Sequence, residues 1–127
     1  MKRCVYTILI MSCLVVLGLS KDRTPPSIVF EVPVDGGFVE PDRRGMVYIR
    51  AKVMDDRGIR SVMLMVPHSH AMMSPTNKPK WTWIQLGWDT REDSPGIYQA
   101  VCMVTDTSGN STRKAITMNL RSRKETK

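Results

Sequence analysis

Hydrophobic and polar residues alternate along most of the chain after residue 26, a pattern that predicts β-strands with one buried face. The alternation is clearest over residues 46–54, where Ile49 and Val53 would face inward and Arg50 and Lys52 outward. Further strands are predicted at residues 27–32, 59–66, 81–88, 98–104 and 116–120. Asp, Gly and Pro residues separate these segments, and no segment has a helical period of useful length. The pattern therefore predicts an all-β fold, an antiparallel β-sandwich of about seven strands.

The first twenty residues follow a different pattern. Lys2 and Arg3 precede an apolar run over residues 5–19, and charge returns at Lys21. This order is typical of a secretory signal peptide, and the run is short for a membrane-spanning helix, which needs about 20 apolar residues. We expect cleavage after residue 20, with a retained membrane anchor or a lipoprotein signal at Cys13 as the alternatives.

Cleavage would change the composition of the chain. The full chain has 127 residues, a formal net charge of +7 and 3 cysteines. Loss of residues 1–20 would leave 17 basic and 12 acidic residues, a net charge of +5, and Cys102 as the single cysteine. The mature protein would be one domain over residues 21–120 with a basic disordered tail over residues 121–127. It would be secreted or periplasmic, without an internal disulfide and without a stable membrane span.

Six short segments resemble motifs of the bacterial immunoglobulin-like domains of secreted and surface proteins. They are residues 22–28 (D-x-T-P-P), 34–39 (P-x-D-G-x-x-V), 54–62 (A-x-D-x-x-G-I-x-x-V), 88–90 (W-D-T), 96–98 (G-x-Y) and 104–111 (A-T-D-x-x-G-N). The resemblance implies an immunoglobulin-like sandwich that serves as a spacer, an adhesion module or a binding module. The chain departs from the family at residues 67–80, which would form a longer connection than a short hairpin, and at Cys102, which has no partner cysteine.

Residues suited to catalysis are few. The chain has two histidines, His68 and His70, in one segment, and Cys102 alternates with predicted core residues. Paired carboxylates fall in predicted turns, where they usually accept backbone hydrogen bonds. No nucleophile, base and orienting group can be assembled from these residues, so we expect the protein not to be an enzyme.

The segment over residues 68–73 combines imidazole and thioether groups, which are suitable ligands for copper, and sulfur favours Cu(I). The candidate ligands are His68, His70, Met72 and Met73, and Met63 and Met65 lie on the strand before them. The alternative is an exposed loop in which these residues have no metal-binding role.

Four aspartates predict a second metal site. Asp22, Asp55, Asp56 and Asp106 could meet at one end of the sandwich, and Ca²⁺ takes six to eight oxygen ligands. Neighbouring arginines could instead neutralise these carboxylates, or the carboxylates could accept hydrogen bonds from the backbone of their turns.

The tryptophans divide between the two faces of one predicted strand. Trp88 would lie in the core, whereas Trp81, Trp83 and Gln85 would point outward and form a platform for a sugar ring or a protein partner. A bulge near Gly87 that reverses the alternation, or cover by the 67–80 connection, would remove this platform.

Basic residues are spread over predicted turns and chain ends rather than gathered with aromatic residues on one face, so we expect no nucleic-acid partner. Their charge would attract an anionic envelope or an acidic partner. The leading hypothesis is an exported, non-catalytic binding module, of adhesion or accessory type, at the cell envelope or outside the cell. It would bind a protein or glycan at the cell surface and need no cofactor. The alternatives are a periplasmic copper carrier that uses the 68–73 segment and a carbohydrate-binding module that uses Trp81 and Trp83.

Overall fold

The computed structural model describes residues 24–122, which form eight β-strands in two sheets. The strands are β1 (Ser27–Val32), β2 (Phe38–Val39), β3 (Met46–Met54), β4 (Ile59–Val66), β5 (Ser69–Met73), β6 (Trp81–Asp89), β7 (Gly96–Asp106) and β8 (Ser111–Leu120). The predicted all-β sandwich is confirmed. The predicted signal peptide, residues 1–20, lies outside the described residues, as does most of the predicted basic tail. Between residues 24 and 122 there is no helix that could cross a membrane.

The three-stranded sheet has the order β1-β3-β6, and both pairs are antiparallel. Strands β3 and β6 stay in register over their whole length, from Met46 opposite Asp89 to Met54 opposite Trp81. Strand β1 has an irregularity between Phe30 and Val32. Because β6 has no such shift against β3, its side chains alternate strictly between the core and the outer face.

The five-stranded sheet has the order β2-β8-β7-β4-β5. Its longest pairing joins β7 and β8 from Gly96 opposite Leu120 to Thr105 opposite Ser111. Strand β4 lies between β7 and β5 and is antiparallel to both. The two-residue β2 adds a parallel edge to β8. On the outer face of this sheet, the outward side chains in the second half of β4 therefore each have a neighbour on β5 at one side and a neighbour on β7 at the other.

The core fills the space between the sheets with the inward residues that the alternation predicts. Its largest fully buried side chains include Trp88, Ile49, Ile59 and Leu64. The indole N–H of Trp88 donates to Oδ2 of Asp93 at 2.7 Å, which satisfies the polar atom of this buried ring. Cys102 is a buried free thiol, and burial raises its pKa to about 11. It therefore behaves as a core residue and not as a reactive nucleophile.

The prediction of a long connection over residues 67–80 is wrong for its first half. Residues Ser69–Met73 form β5, which pairs with β4 through a tight turn in which His68 has a φ of 67°. The alternation of β5 is weak because both of its faces carry apolar residues. The second half crosses from the five-stranded to the three-stranded sheet. It is joined to the β3–β4 turn by two backbone hydrogen bonds, from the Asp55 N–H to the Lys80 carbonyl and from the Ile59 N–H to the Pro79 carbonyl, each at 2.8 Å.

Candidate functional site

The outer face of the three-stranded sheet carries two large aromatic side chains in solvent. Trp81 and Trp83 are 50% and 42% exposed, although each is large enough to bury most of its surface in a core. Inward residues of the same strand, Ile84 and Trp88, are buried, so the outward direction of the two tryptophans follows from strand alternation. The register against β3 excludes the bulge that would have reversed it, and residues 67–80 do not cover the rings.

Two cations of β3 lie over the indole rings. Register places Lys52 opposite Trp83 and Arg50 opposite Gln85. The guanidinium carbon of Arg50 is 4.4 Å from the Trp83 ring centroid, and Nζ of Lys52 is 4.9 Å from the Trp81 ring and 5.9 Å from the Trp83 ring. All three distances are within the range of cation–π attraction. We call Trp81, Trp83, Arg50 and Lys52 the tryptophan face.

The rings of the tryptophan face meet edge to face. Their centroids are 4.9 Å apart and their planes make an angle of 74°. Arg50 is held from a second side by Glu31 of β1, with Nε 3.1 Å from Oε1. The rings and the guanidinium thus fix one another, which lowers the conformational entropy that a partner would have to remove on binding.

Further exposed apolar side chains extend this surface across the sheet. Tyr48 of β3 is 48% exposed and Val29 of β1 is 46% exposed. Both residues point to the same side as Arg50 and Lys52, because they occupy outward positions of their strands. The outer side of the three-stranded sheet is therefore an aromatic and apolar surface with embedded positive charge, a composition typical of protein-binding hot spots.

The four predicted copper ligands lie on two faces of β5 and in the turn before it. His70 and Met72 lie on the outer face of β5, whereas Met73 faces inward and packs against the core. His68 is in the turn, and its Nε2 lies 2.7 Å from Oδ1 of Asp93. This hydrogen bond to the Asp93 carboxylate raises the pKa of His68. Strand alternation therefore leaves His70 and Met72 together on the outer face and separates them from Met73.

The predicted calcium ligands are brought together only in part. Asp55 and Asp106 are buried side chains at the same end of the sandwich, but Asp56 is exposed and Asp22 lies outside the described residues. Asp106 accepts hydrogen bonds on both carboxylate oxygens, from the N–H groups of Ser108 and Asn110 and the Asn110 side chain. Among residues 24–122, no three His, Cys, Asp or Glu side chains are grouped so that they could hold a metal ion.

A basic pocket of about 460 Å³ lies at the opposite end of the sandwich. Its lining includes Arg43, Arg44, Arg91 and Arg121. Arg91 is bonded to Asp89, with Nη2 2.7 Å from Oδ2, and the guanidinium of Arg121 stacks on Phe38 at 3.5 Å. These two arginines already have partners. Their charge therefore adds to the positive electrostatic potential at this end of the sandwich but does not form a preorganised site for an anion.

Sequence reasoning identified the two tryptophans but missed the cations that accompany them. Arg50 and Lys52 read as outward residues of an ordinary strand, and their position over the rings depends on the β3–β6 register. The pairing of Met63 with both Met72 and Met103 was missed for the same reason. Cross-strand neighbours are not adjacent in sequence, so period-two alternation alone does not reveal them.

Comparisons with known proteins support the fold. No family model and no curated protein matches the chain, so the resemblance to bacterial immunoglobulin-like domains stays a prediction. The chain is similar in structure to an endo-β-1,4-mannanase from Thermotoga petrophila, with 15% identity and a TM-score of 0.56. It is also similar to the fibronectin(III)-like modules of Clostridium thermocellum CbhA, with 14% identity and a TM-score of 0.53.

These alignments cover most of this chain but only part of the other proteins. They include 81% of this chain and 21% of the mannanase, and 77% of this chain and 47% of the CbhA chain. Murine CRIg aligns over 80% of this chain with 18% identity, but its TM-score of 0.43 is too low to indicate a common fold. At such identities the likeness shows the fold alone, which is an immunoglobulin-like or fibronectin(III)-like sandwich.

Proposed function

We propose that the protein is an exported, non-catalytic binding module and that the tryptophan face is its binding surface. The observation that carries this proposal is a pair of adjacent tryptophans, each about half exposed, with Arg50 and Lys52 over their rings. Trp and Arg are the residue types that most often dominate the binding energy of protein interfaces. Exposed aromatic side chains that are already fixed by neighbours lose little freedom when a partner covers them.

A protein partner fits this geometry better than a glycan. Arg50 covers one face of the Trp83 ring at 4.4 Å, and the two rings stand at 74° to each other. A sugar ring stacks on a flat, uncovered aromatic face. Here the two indole planes are not continuous, and one face of Trp83 is covered by Arg50. A protein surface can instead place apolar side chains between the rings and carboxylates against Arg50 and Lys52, so the partner surface should be acidic and apolar.

Site-specific photocrosslinking in the producing cells tests this proposal. A photocrosslinking residue at Gln85, next to Arg50 on the outer face, should capture one partner protein, and the same residue at Asn119 of β8 should not. The Trp81→Ala/Trp83→Ala variant should lower the yield of this product at least about tenfold, the loss expected when a hot-spot side chain worth 1.4 kcal/mol or more is removed.

The matched control is Phe38→Ala, which removes another exposed aromatic ring with a stacked arginine from the other sheet. It should leave the crosslinked product unchanged. If the double tryptophan variant unfolds, Arg50→Ala, which removes the guanidinium stacked on Trp83 but keeps both rings, provides the second measurement. An unchanged yield in folded variants, or equal losses in the Phe38→Ala control, would contradict the proposed surface.

A carbohydrate partner is the second candidate, favoured by the half exposure of both indole rings. One structural neighbour is named as an endo-β-1,4-mannanase, so β-1,4-mannan is the first glycan to test. Quenching or a blue shift of tryptophan fluorescence on titration with mannan oligosaccharides, lost in Trp81→Phe, would support this candidate over a protein partner. The absence of any spectral change at saturating concentrations would exclude it for this glycan.

Export is proposed from the pattern of residues 1–20, a basic start and an apolar run before Lys21. Cell fractionation followed by N-terminal sequencing is the direct test. We expect the mature protein outside the cytoplasm with Lys21 as its first residue. A cytoplasmic protein that retains Met1 would contradict the exported part of the proposal and leave the binding surface to be judged by crosslinking alone.

A further inference from the structure

The outer face of the five-stranded sheet carries four methionines on three adjacent strands. Met63 of β4 lies directly opposite Met72 of β5 on one side and Met103 of β7 on the other. Met65, two residues along β4, lies opposite His70 and Val101 in the next row. We call Met63, Met65, Met72, Met103 and His70 the methionine face.

These side chains are accessible from solvent. Met72 is 68% exposed and His70 is exposed, while Met63, Met65 and Met103 are partly buried at outward positions. Their strand neighbours at inward positions, such as Leu64 and Cys102, are fully buried in the core. The methionines of this face are therefore not core residues, and their sulfur atoms lie on a surface that an ion can reach.

The spacing allows three thioethers to meet. Side chains directly opposite each other on antiparallel strands have Cβ atoms about 4.5–5.5 Å apart. Methionine has an unbranched side chain with three rotatable bonds, so its sulfur can swing toward a neighbour at little cost. Met63 is in the centre of its row, so the thioethers of Met72 and Met103 can reach its sulfur from both sides.

The chemistry of this donor set selects a soft cation. Thioethers bind Cu(I) and discriminate against hard cations, which prefer carboxylate and carbonyl oxygens. The two rows contain no carboxylate: the next partners are Arg113 opposite Met103 and Ala115 opposite Val101. Imidazole is a further ligand for copper, and His70 lies beside Met72 on the same face of β5.

We propose that the methionine face binds one Cu(I) ion through the thioethers of Met63, Met72 and Met103, with His70 as a fourth donor. This site differs from the copper site predicted from residues 68–73 alone, because His68 and Met73 are not among its ligands and two of its ligands lie on β4 and β7. It is independent of the tryptophan face, which lies on the other sheet.

Anaerobic titration of the full chain with Cu(I) against the chromophoric ligand bicinchoninate tests the proposal, with Ag(I) as a redox-inert second probe. The wild-type protein should withdraw one equivalent of Cu(I). Met63→Leu/Met103→Leu should lower the affinity at least about tenfold, because residues that merely support metal ligands already contribute that much. Leucine has nearly the volume of methionine, so these substitutions should leave the fold intact.

Two matched controls replace methionines outside the site. Met73→Leu changes the inward neighbour of Met72 on the same strand, and Met54→Leu changes an outward methionine of the other sheet. Both should bind Cu(I) like the wild type. In methyl NMR spectra, Ag(I) should shift the methyl signals of Met63, Met72 and Met103 and leave that of Met73 in place.

Three results would overturn the proposal. The first is failure of the wild-type protein to compete with bicinchoninate for Cu(I). The second is equal affinity in the wild type and in folded Met63→Leu/Met103→Leu. The third is weakened binding in Met73→Leu or His68→Ala with the Met63 and Met103 variant unaffected, which would place the copper ligands in the 68–73 segment instead.

Discussion

Two turns at one end of the sandwich use a buried aspartate in the same way but leave it in different electrostatic states. Asp55 follows β3 and is 6% exposed, and Asp106 ends β7 and is fully buried. Each carboxylate accepts the backbone N–H two residues later, from Arg57 or from Ser108, at 2.9 Å. The two turns thus share a residue type, a local motif and a degree of burial.

They differ in the number of donors that reach the carboxylate. Asp55 accepts both of its hydrogen bonds, from Arg57 and Gly58, on Oδ2, and its buried Oδ1 has no partner. Burial raises the pKa of Asp55, and the nearby Asp106 carboxylate raises it further. Burial also raises the pKa of Asp106, but the hydrogen bonds from the Asn110 side chain and from the N–H groups of Asn110 and Ser108 outweigh it and hold the pKa below its ordinary value.

The comparison shows that burial alone does not decide the charge state of a carboxyl group. Both groups lose solvation, and the sign of the pKa shift follows from whether donors replace the lost water on both oxygens. The difference matters for the tryptophan face, because the Asp55 N–H donates to the Lys80 carbonyl at 2.8 Å, directly before Trp81. The Asp55 turn, whose carboxylate has one oxygen without a donor, therefore holds the start of β6, the strand that carries Trp81 and Trp83.

Removal of the Asp106 carboxylate, which accepts hydrogen bonds on both oxygens, should have the largest effect on the free energy of unfolding. In Asp106→Ala, the N–H groups of Ser108 and Asn110 and the Asn110 side-chain amide lose the buried carboxylate that accepts their three part-buried hydrogen bonds. At about 1–1.5 kcal/mol net for each of these three hydrogen bonds, we expect a loss of about 3–5 kcal/mol in the free energy of unfolding. Urea denaturation measures it, and Thr107→Ala, which changes an exposed residue of the same turn and keeps the carboxylate and its donors, is the control. A loss below about 1 kcal/mol would mean that water satisfies these donors.

The same truncation at Asp55 should cost less. Asp55→Ala also removes the acceptor of two N–H groups, those of Arg57 and Gly58. It simultaneously removes an oxygen that has no partner and a carboxyl group whose ionisation is disfavoured by burial and by the nearby Asp106 carboxylate. These opposing effects should leave a net loss of about 1–2 kcal/mol in the same urea experiment. A loss equal to that of Asp106→Ala would contradict the distinction between the two turns.

The residues of this comparison also show how far the sequence predicts the structure. Alternation and turn residues predict the strands, the sandwich and the two Asp turns, because these features depend on neighbours along the chain. The orphan oxygen of Asp55, the cations over Trp81 and Trp83 and the meeting of Met63 with Met103 depend on register or on contact between loops. Strand β5 was missed because neither of its faces is consistently polar, so its alternation is weak.

Conversion of the unsatisfied carboxyl to an amide should have the opposite sign. In Asp55→Asn, the amide oxygen can accept the hydrogen bonds of Arg57 and Gly58, and the NH₂ group can donate toward the Asp106 carboxylate. The variant also removes an ionisable group whose pKa is raised by burial. We expect a gain of about 1 kcal/mol in stability near pH 7, which for about 100 residues corresponds to an unfolding midpoint about 4–8 °C higher. The matched Asp106→Asn variant should instead be destabilised, because its NH₂ group would face the Asn110 side-chain amide.

The dependence of stability on pH separates the two carboxyl groups without truncating either. Asp55 has a raised pKa in the folded protein, so its contribution is complete below the ordinary pKa of 3.8 and is lost as the pH rises through the folded value. Asp106 has a lowered pKa, so its contribution is present above 3.8 and is lost as the pH falls through its folded value. The stability advantage of Asp55→Asn over the wild type should therefore grow as the pH rises from about 4 to 7. Urea midpoints measured across this range give the difference directly, and an advantage that stays constant with pH would show that Asp55 titrates alike in the folded and unfolded chain.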